Sequence, residues 1–230
     1  MSAANESHAL RLGAVRQVGG NAIVELNARA FAELRARYQG GLVLDLGTGD
    51  GKHVRAEARR RPDALVVGLD ASVDAMRHAA ARASAKPRRG GAPNALFVWA
   101  PVEQLPAELD GVTEVHALMP WGSLLRALVA PDEGVLSLVA QRCATAATFL
   151  ITLNLRAWRP PVPEVGGTAE PTPESALAEL APAYARAGWI LATADYLNEP
   201  QIAQLSTSWT KRLGAQSRKF DVLALRGTIG

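Results

Sequence analysis

The feature that most constrains this chain is a glycine-rich turn between an apolar run and a helix. The run 42–46 leads directly into Gly47, Gly49 and Gly51, and a helix-like segment follows at 54–61. This order is typical of a buried parallel strand, a tight turn and a helix N-terminus. Glycines let the backbone approach a ligand closely, and free N–H groups at a helix start favour polar or anionic ligands. The stretch therefore predicts an α/β fold with a ligand site at this turn.

The spacing of the glycines distinguishes between nucleotide ligands. A dinucleotide-binding turn has the pattern G-x-G-x-x-G, and Lys52 occupies the place of its third glycine. The pattern D-x-G-x-G-x-G, which begins at Asp45, resembles the first motif of class I S-adenosylmethionine-dependent methyltransferases. A second apolar run ends at Asp70, where a carboxylate can accept hydrogen bonds from both ribose hydroxyls of a nucleoside. Together these features favour a nucleoside cofactor over the alternative, an ordinary strand-to-helix turn.

Predicted strands and helices alternate along most of the 230 residues. Strands are expected at 42–46, 64–69, 95–99, 112–118, 147–155, 189–197 and 220–226. Helices are expected at 52–61, 72–84, 122–129, 133–143, 174–187 and near 199–205. The last two are joined without a full crossover helix, which predicts an antiparallel C-terminal pair. We therefore predict a Rossmann-like, seven-stranded, mostly parallel sheet with one antiparallel strand, in a single domain over 13–230. A β-hairpin and a helix at 13–40 would precede the core, and residues 1–12 would be a flexible extension.

Composition excludes several classes of protein. The single cysteine, Cys143, rules out a disulfide framework and fits a reducing cytoplasm, and the four histidines are too scattered to predict a metal site. The N-terminus lacks the features of a signal peptide and no apolar run is long enough for a membrane span, so a cytoplasmic location is expected. The net charge of +3 is compatible with nucleic-acid binding if the basic residues cluster.

The segment after the third core strand is expected to surround the adenine of a nucleoside cofactor. It contains Ala100, Val102 and Glu103. Val102 can cover a ring face and Glu103 can accept a hydrogen bond from the exocyclic amine. The alternative for Glu103 is an acid of a first helical turn, which the helix dipole favours.

The segment 118–125 follows the fourth core strand, where substrate meets cofactor in a doubly wound sheet. It lacks the Asn/Asp-Pro-Pro-aromatic motif that many amino-methyltransferases have there. A cysteine nucleophile of the 5-methylcytosine type is not expected either, because Cys143 is predicted in a helix over 133–143, away from every strand tip. Met119 is a candidate cofactor contact, and Trp121 is a candidate for stacking on a base.

A second tryptophan, Trp209, lies between the last two predicted strands. Four cations follow it within ten residues: Lys211, Arg212, Arg218 and Lys219. A tryptophan beside cations suggests base stacking and phosphate binding, whereas the alternative is a core tryptophan next to a solvated basic face. Two linkers are also candidates for function or for simple connection: the basic stretch 86–94 and the proline-rich stretch 156–173.

These motifs together resemble a known family. The combination is similar to the aminoglycoside-resistance 16S rRNA methyltransferases of the kanamycin–apramycin type, which modify N1 of the adenine at position 1408. The resemblance runs from about residue 14 to the C-terminus, and it is carried by 43–53 (VLDLGTGDGKH), 118–125 (LMPWGSLL), 154–160 (NLRAWRP), 171–175 (PTPES) and 207–213 (TSWTKRL).

The resemblance implies roles for individual residues. Trp121 and Trp209 would sandwich a flipped adenine, with Ser123 and Thr207 along the cofactor and base. Arg212 and Arg218, together with Lys211, would hold rRNA phosphates, and Lys86, Arg88 and Arg89 would dock on the intact 30S subunit. S-adenosylmethionine would be the cosubstrate and S-adenosylhomocysteine the product, with no metal and a monomeric enzyme.

The chemistry is consistent with these roles. Adenine N1 carries a lone pair and no proton, so methyl transfer needs no general base and depends mostly on positioning. Stacking on the two tryptophans would offset much of the cost of flipping the base. Two alternatives stay open on sequence grounds. One is a methyltransferase that acts on tRNA or a small molecule, and the other is an RNA-binding protein on the same fold without catalytic activity.

Overall fold

A nine-stranded sheet forms the centre of the molecule. The computed structural model describes residues 14–20, 22–159, 164–165, 167–206 and 221–230. Its strands lie in the order β2-β1-β5-β4-β3-β6-β7-β9-β8. They are β1 Ala14–Gly19, β2 Ala22–Asn27, β3 Leu42–Leu46, β4 Leu65–Asp70, β5 Ala95–Trp99, β6 Val112–Leu118, β7 Cys143–Asn154, β8 Trp189–Tyr196 and β9 Val222–Ile229.

Helices cover both faces of the sheet. They are α1 Ala28–Arg35, α2 Lys52–Arg60, α3 Val73–Ala83, α4 Gly122–Val129, α5 Glu133–Ala140, α6 Pro173–Ser175, α7 Ala181–Arg186 and α8 Glu199–Gln204. Side chains alternate along β3: Leu42, Leu44 and Leu46 pack in one apolar cluster with α4, α5 and Tyr184 of α7, whereas Val43 packs in a second cluster with α2 and α3. None of the described helices has the length and apolar character needed to span a bilayer.

The Rossmann-like α/β class is confirmed, and the strand count needs revision. Seven strands form the expected core, in which β3 to β7 pair parallel with one another and β9 pairs antiparallel with both β7 and β8. The predicted hairpin is present as β1 and β2. It does not stand apart, because Gln17 of β1 pairs with Val98 of β5 and so joins the hairpin to the same sheet. The sheet therefore has nine strands rather than seven.

Two further local predictions were wrong. Cys143 begins β7 instead of ending a helix, since α5 ends at Ala140, and Cys143 pairs with Val112 at the amino end of β6. Burial raises the pKa of its thiol to about 12, which keeps it protonated. The helix expected at 174–187 is interrupted by a π-helical segment, Ala176–Leu180. Pro182 follows it and has no N–H to donate to the preceding turn, which breaks the α-helical pattern.

Candidate active site

The glycine turn lies at the carboxyl end of β3, beside the end of β4. The N–H groups of Gly47 and Thr48 both donate to the Leu69 carbonyl, at 2.8 and 3.1 Å. Gly47, Gly49 and Gly51 have φ values of 66°, 55° and 65°, which residues other than glycine rarely adopt. The three positions therefore share a backbone requirement for glycine.

The surroundings of the three glycines differ. A Cβ on Gly51 would collide with the Phe97 ring, and a Cβ on Gly47 would lie 2.8 Å from Leu124 Cδ2. A Cβ on Gly49 would meet nothing within 4 Å. Close packing within the protein thus gives a second reason for glycine at position 51 and at position 47. At Gly49 no protein atom fills the space, so a ligand has room there.

Asp70 links this turn to the next strand tip. Its Oδ2 accepts a hydrogen bond from the Gly49 N–H at 2.8 Å, and its Oδ1 accepts one from the Ser72 N–H at 2.7 Å. Each carboxylate oxygen has two lone pairs and keeps one for a further donor. The structure therefore brings the Asp70 carboxylate against the backbone of the glycine turn at Gly49.

Asp45 is more deeply buried than Asp70. It is 2% exposed, and it occupies the position on β3 that pairs with His116 of β6. Burial raises the pKa of Asp45, while the nearby His53 and His116 act in the opposite direction. Asp45 therefore lies under the glycine turn near two histidines, and one of them, His53, lies in the first turn of α2.

The candidate residues after β5 also lie at the carboxyl ends of the parallel strands. The Ala100 N–H donates to the Asp70 carbonyl at 3.1 Å, so the chain after β5 stays beside the end of β4. Ala100 and Val102 are buried and Glu103 is exposed. Trp99, which the sequence analysis did not single out, donates its indole N–H to the Ala71 carbonyl. The Arg16 guanidinium lies over the Trp99 ring, with its Cζ 4.3 Å from the ring centroid.

Trp121 is exposed at the end of β6. Met119 has a φ of 52°, and its N–H points to both the carbonyl and the hydroxyl of Thr152, at 2.8 and 3.0 Å. A residue other than glycine in this region of φ marks stored strain, which clusters at functional sites. The strained turn ends at Trp121, which is 42% exposed and precedes α4, and Ser123 is exposed beside it.

The second tryptophan and its candidate neighbours lie outside the described residues: Thr207, Trp209, Lys211, Arg212 and Arg218. The residues on either side are held firmly. The Leu205 carbonyl faces Nδ1 of His53 at 3.1 Å, and the buried Asp221 accepts hydrogen bonds from Arg156 and Arg159.

The basic stretch 86–94, called the basic loop below, lies at the amino ends of the parallel strands, whereas the glycine turn lies at their carboxyl ends. Lys86, Arg88 and Arg89 are exposed and precede the start of β5, whose first residue pairs with Val66 near the start of β4. The structure therefore does not bring these three cations to the glycine turn.

Three further cations extend this basic loop, and the sequence reading missed them. The Arg59 guanidinium donates to the Gly90 carbonyl at 2.9 Å. Burial, together with repulsion from Arg59 and Arg82, lowers the pKa of Arg55. The i, i+4 spacing of Arg55 and Arg59 on α2 was the available signal. We call the set the basic surface: Arg55, Arg59, Arg82, Lys86, Arg88 and Arg89.

Metal ligands are not grouped in the part of the chain that is described: no three His, Cys, Asp or Glu side chains there could hold an ion together.

Comparison with known proteins identifies relatives over nearly the whole chain. The family model "NpmA: 16S rRNA (adenine(1408)-N(1))-methyltransferase" matches residues 16–228. A curated 16S rRNA (adenine(1408)-N(1))-methyltransferase of Streptoalloteichus tenebrarius is 51% identical over 215 residues, which cover 94% of this chain and 99% of the relative. Its counterpart from Streptoalloteichus hindustanus is 50% identical, with the same coverage of both chains.

Solved structures agree with these matches. The crystal structure of the 16S rRNA methyltransferase KamB superposes with a TM-score of 0.89 at 51% identity, covering 94% of this chain and 99% of the other. A W203A variant of the 16S rRNA (adenine(1408)-N(1))-methyltransferase from Catenulisporales acidiphilia, solved with the cosubstrate SAM, has a TM-score of 0.84 at 33% identity and covers 94% and 96% of the two chains.

Proposed function

Because this chain belongs to the family of 16S rRNA (adenine(1408)-N(1))-methyltransferases, we propose that it methylates N1 of that adenine within the assembled 30S subunit. The observation that carries the proposal is the 51% identity to a curated enzyme of this activity over 94% of the chain. The substrate is part of the ribosome, which puts the proposed activity in the cytoplasm. A monomer suits docking on so large a surface.

The residues at the glycine turn fit S-adenosylmethionine as the cosubstrate. The open space over Gly49 admits a ligand against the backbone, and Asp70 offers a free lone pair on each oxygen for the ribose hydroxyls. Ala100, Val102 and Glu103 would border the adenine, and Gly47, Met119 and Thr207 would border the rest of the molecule. When bound, S-adenosylmethionine supplies an electrophilic methyl group on its sulfonium sulfur. Asp45, buried beneath the turn, would support this site from below.

Trp121 would receive the target base. Its indole is exposed at the end of β6, at the point in a doubly wound sheet where ligands meet. A base in a duplex is out of reach of an enzyme, so the adenine has to leave its stack, and aromatic surfaces recover part of that cost. Trp209 would form the second stacking surface and Ser123 would lie beside the base, while Lys211, Arg212 and Arg218 would hold the flanking phosphates.

The proposed reaction needs no general base. The N1 lone pair of adenine forms the new N–C bond as the S–C bond breaks, and the product base gains a positive charge. No proton is removed, so the enzyme contributes mainly by holding N1 in line with the methyl group. Aromatic faces also stabilise the cationic 1-methyladenosine. The methyl group and its charge would then weaken binding of cationic aminoglycosides at this position, which gives resistance.

Methylation assays with three RNA substrates test the proposal. Purified enzyme is incubated with labelled S-adenosylmethionine and intact 30S subunits, naked 16S rRNA or tRNA, and primer extension then locates the modified base. We expect incorporation into 30S subunits and a primer-extension stop at the adenine at position 1408, because N1-methylation blocks Watson–Crick pairing. Methylation of tRNA without that stop would favour the alternative substrate class. No incorporation into any of the three would contradict the proposed activity.

A further inference from the structure

A chain of hydrogen bonds joins the end of α8 to β6 through two histidines, one of which lies in the first turn of α2, just after the glycine turn. Nδ1 of His53 lies 3.1 Å from the Leu205 carbonyl oxygen, and Nε2 of His53 lies 2.9 Å from Nδ1 of His116. Nε2 of His116 lies 2.8 Å from Oε1 of Glu114, whose other oxygen accepts from Arg61. His53 belongs to α2 and His116 to β6, so three elements far apart in sequence meet here.

The geometry fixes the number of protons on the two rings. The Leu205 carbonyl can only accept a hydrogen bond, so Nδ1 of His53 must carry a proton. The Glu114 carboxylate, whose pKa the His116 hydrogen bond lowers to about 2, is ionised and likewise only accepts, so Nε2 of His116 must carry a second proton. The nitrogen–nitrogen contact between the rings needs a third. Three protons on four nitrogens mean that the pair carries one positive charge.

Charged groups of both signs surround the pair. Asp45 of β3 and Glu57 of α2 favour the charged form of His53, while burial and His116 oppose it and lower the pKa of His53 overall. Glu114 of β6 contacts His116, and Arg61, which follows α2, contacts both Glu57 and Glu114. Helix α8 contributes a carbonyl oxygen through Leu205. The proton between the two rings is therefore best placed on Nδ1 of His116, so that Nε2 of His53 accepts the hydrogen bond.

This pair connects two parts of the proposed active site. His116 is 5% exposed and lies directly across from Asp45, under the glycine turn. Leu205, which is 8% exposed, is the C-cap residue that follows α8, and Ser206 after it has a φ of 52°. The His53 hydrogen bond is thus the point at which the end of α8 is fastened to the helix that begins at the cofactor turn.

We propose that His53 and His116 form a proton-sharing pair that positions the end of α8 against the cofactor turn for methyl transfer. They are positioning residues, because they act through Leu205 rather than on the reacting atoms. The inference rests on the proposed function in one respect: Trp209, the second proposed stacking residue, follows Leu205 by four positions in the sequence.

The proton count is tested without any activity measurement. The chain has four histidines, His8, His53, His78 and His116, so long-range ¹H–¹⁵N correlation spectra of the ¹⁵N-histidine-labelled protein are simple to assign with single substitutions. We expect N–H signals at Nδ1 of His53 and at both nitrogens of His116, and a bare nitrogen at Nε2 of His53. Two neutral rings with one N–H each near neutral pH would overturn the proposal. This result stands whether or not the enzyme methylates 30S subunits.

Two substitutions of His53 separate positioning from packing. Asn places an amide near the position of Nδ1 and can still donate to Leu205, whereas Gln extends toward His116 and cannot serve Leu205. We expect H53Q to lose about tenfold in turnover on 30S subunits and H53N to stay within about threefold of the wild type, the loss that one hydrogen bond predicts. Both variants should bind S-adenosylmethionine as the wild type does. His78→Asn, at an exposed position on α3, is the matched control.

The results of these experiments distinguish the positioning role of His53 from the proposed methylation of 30S subunits. Lower turnover in H53Q than in H53N, at equal cosubstrate affinity, supports the positioning role. Equal turnover in both variants, or a parallel decrease in cosubstrate affinity, overturns it. If the wild type itself does not methylate 30S subunits, the proposed function fails, and the spectra still decide whether the proton-sharing pair exists.

Discussion

Trp121 presents its indole to solvent at the end of a strand whose last four residues are buried. A tryptophan placed there by packing alone would turn toward the core, because burying an indole is strongly favourable. The positive φ of Met119 shows that the backbone is held in a strained form just before it. Exposure and strain at the same turn are better explained by a ligand that stacks on Trp121 than by the stability of the fold.

Replacing Trp121 with alanine should reduce methyl transfer to 30S subunits by about tenfold to a hundredfold, since base stacking on one aromatic ring contributes about 1–3 kcal/mol. Affinity for S-adenosylmethionine should change little. Trp121→Phe keeps an aromatic face and should retain most activity, and Ile190→Ala, at an exposed position on β8, controls for removal of apolar surface. A collapse of cosubstrate affinity in Trp121→Ala would instead assign Trp121 a structural role.

Asp70 holds two backbone N–H groups and is proposed to hold two hydroxyls as well. In Asp70→Asn one of the oxygens becomes an amide nitrogen that faces a donor, so we expect affinity for S-adenosylmethionine to fall by about tenfold. Isothermal titration calorimetry measures this directly. Asp74→Asn, at an exposed carboxylate paired with Arg77, is the control. A decrease in thermal stability without a change in affinity would show that Asp70 only braces the turn.

At the scale of elements, Glu114 ties β6 to the end of α2. It contacts Arg61 and His116, and the His116 hydrogen bond is the largest cause that lowers the pKa of Glu114 from 4.5 to about 2. A carboxyl group with a lowered pKa stabilises the fold above its unfolded-state pKa, and this stabilisation disappears as the pH falls through the folded-state pKa. The relevant window therefore runs from about pH 4.5 down to about pH 2.

Glu114→Gln should therefore destabilise the protein most near neutral pH. We expect a decrease of about 1–3 kcal/mol in the free energy of unfolding at pH 7, and a smaller difference from the wild type as the pH approaches 2. Chemical denaturation at a series of pH values measures both. Glu33→Gln, at an exposed pair with Arg29 on α1, should show almost no effect at any pH. A constant difference across the range would mean that Glu114 stabilises the fold through packing rather than charge.

The elements show how far the sequence predicts this fold. Strands β3 and β6 and helix α4 lie where their apolar runs predicted, because each run is bounded by glycine, proline or a charged residue. The joining of the hairpin to β5 was not predictable, since the sequence of a strand does not say which edge it pairs with. Cys143 was misplaced because helix-favouring Ala is mixed with strand-favouring Val and Thr around it, and pairing with Val112 decides the matter.

The site was predictable to a similar degree. Local motifs mark Gly49, Asp70 and Trp121 as candidates, because each follows directly from a strand end in the sequence. The His53–His116 contact joins residues 63 positions apart, and its third partner, Leu205, contributes only a backbone carbonyl. A carbonyl leaves no trace in sequence composition. Contacts of this kind depend on the register of parallel strands, which only the fold supplies.

At the scale of the whole molecule, the proposed cofactor site and the basic loop lie at opposite ends of the parallel strands. The carboxyl ends of β3 to β6 carry the proposed cofactor and base contacts. The basic loop lies at the amino end of β5, where Ala95 pairs with Val66, whereas Asp70 pairs with Trp99. Four residues along a strand are about 13 Å, so the end of the basic loop at the start of β5 is about that far from Asp70. Contacts of this loop with rRNA phosphates would therefore set the position of the enzyme on the subunit without touching the cosubstrate.

The triple substitution of Lys86, Arg88 and Arg89 with glutamine tests this separation. Removing a cation that binds a phosphate should weaken binding to 30S subunits and reduce the salt dependence of that binding, by roughly 0.7 to 0.9 per cation in the slope of log affinity against log salt. Affinity for S-adenosylmethionine should be unchanged, because the basic loop lies at the amino ends of the strands and the proposed cofactor site lies at their carboxyl ends. The matched control replaces Arg29 and Arg37, two exposed cations on or just after α1, with glutamine. If the control reduces the salt dependence by as much per cation removed as the triple variant does, binding follows net charge, and the basic loop has no special role in docking.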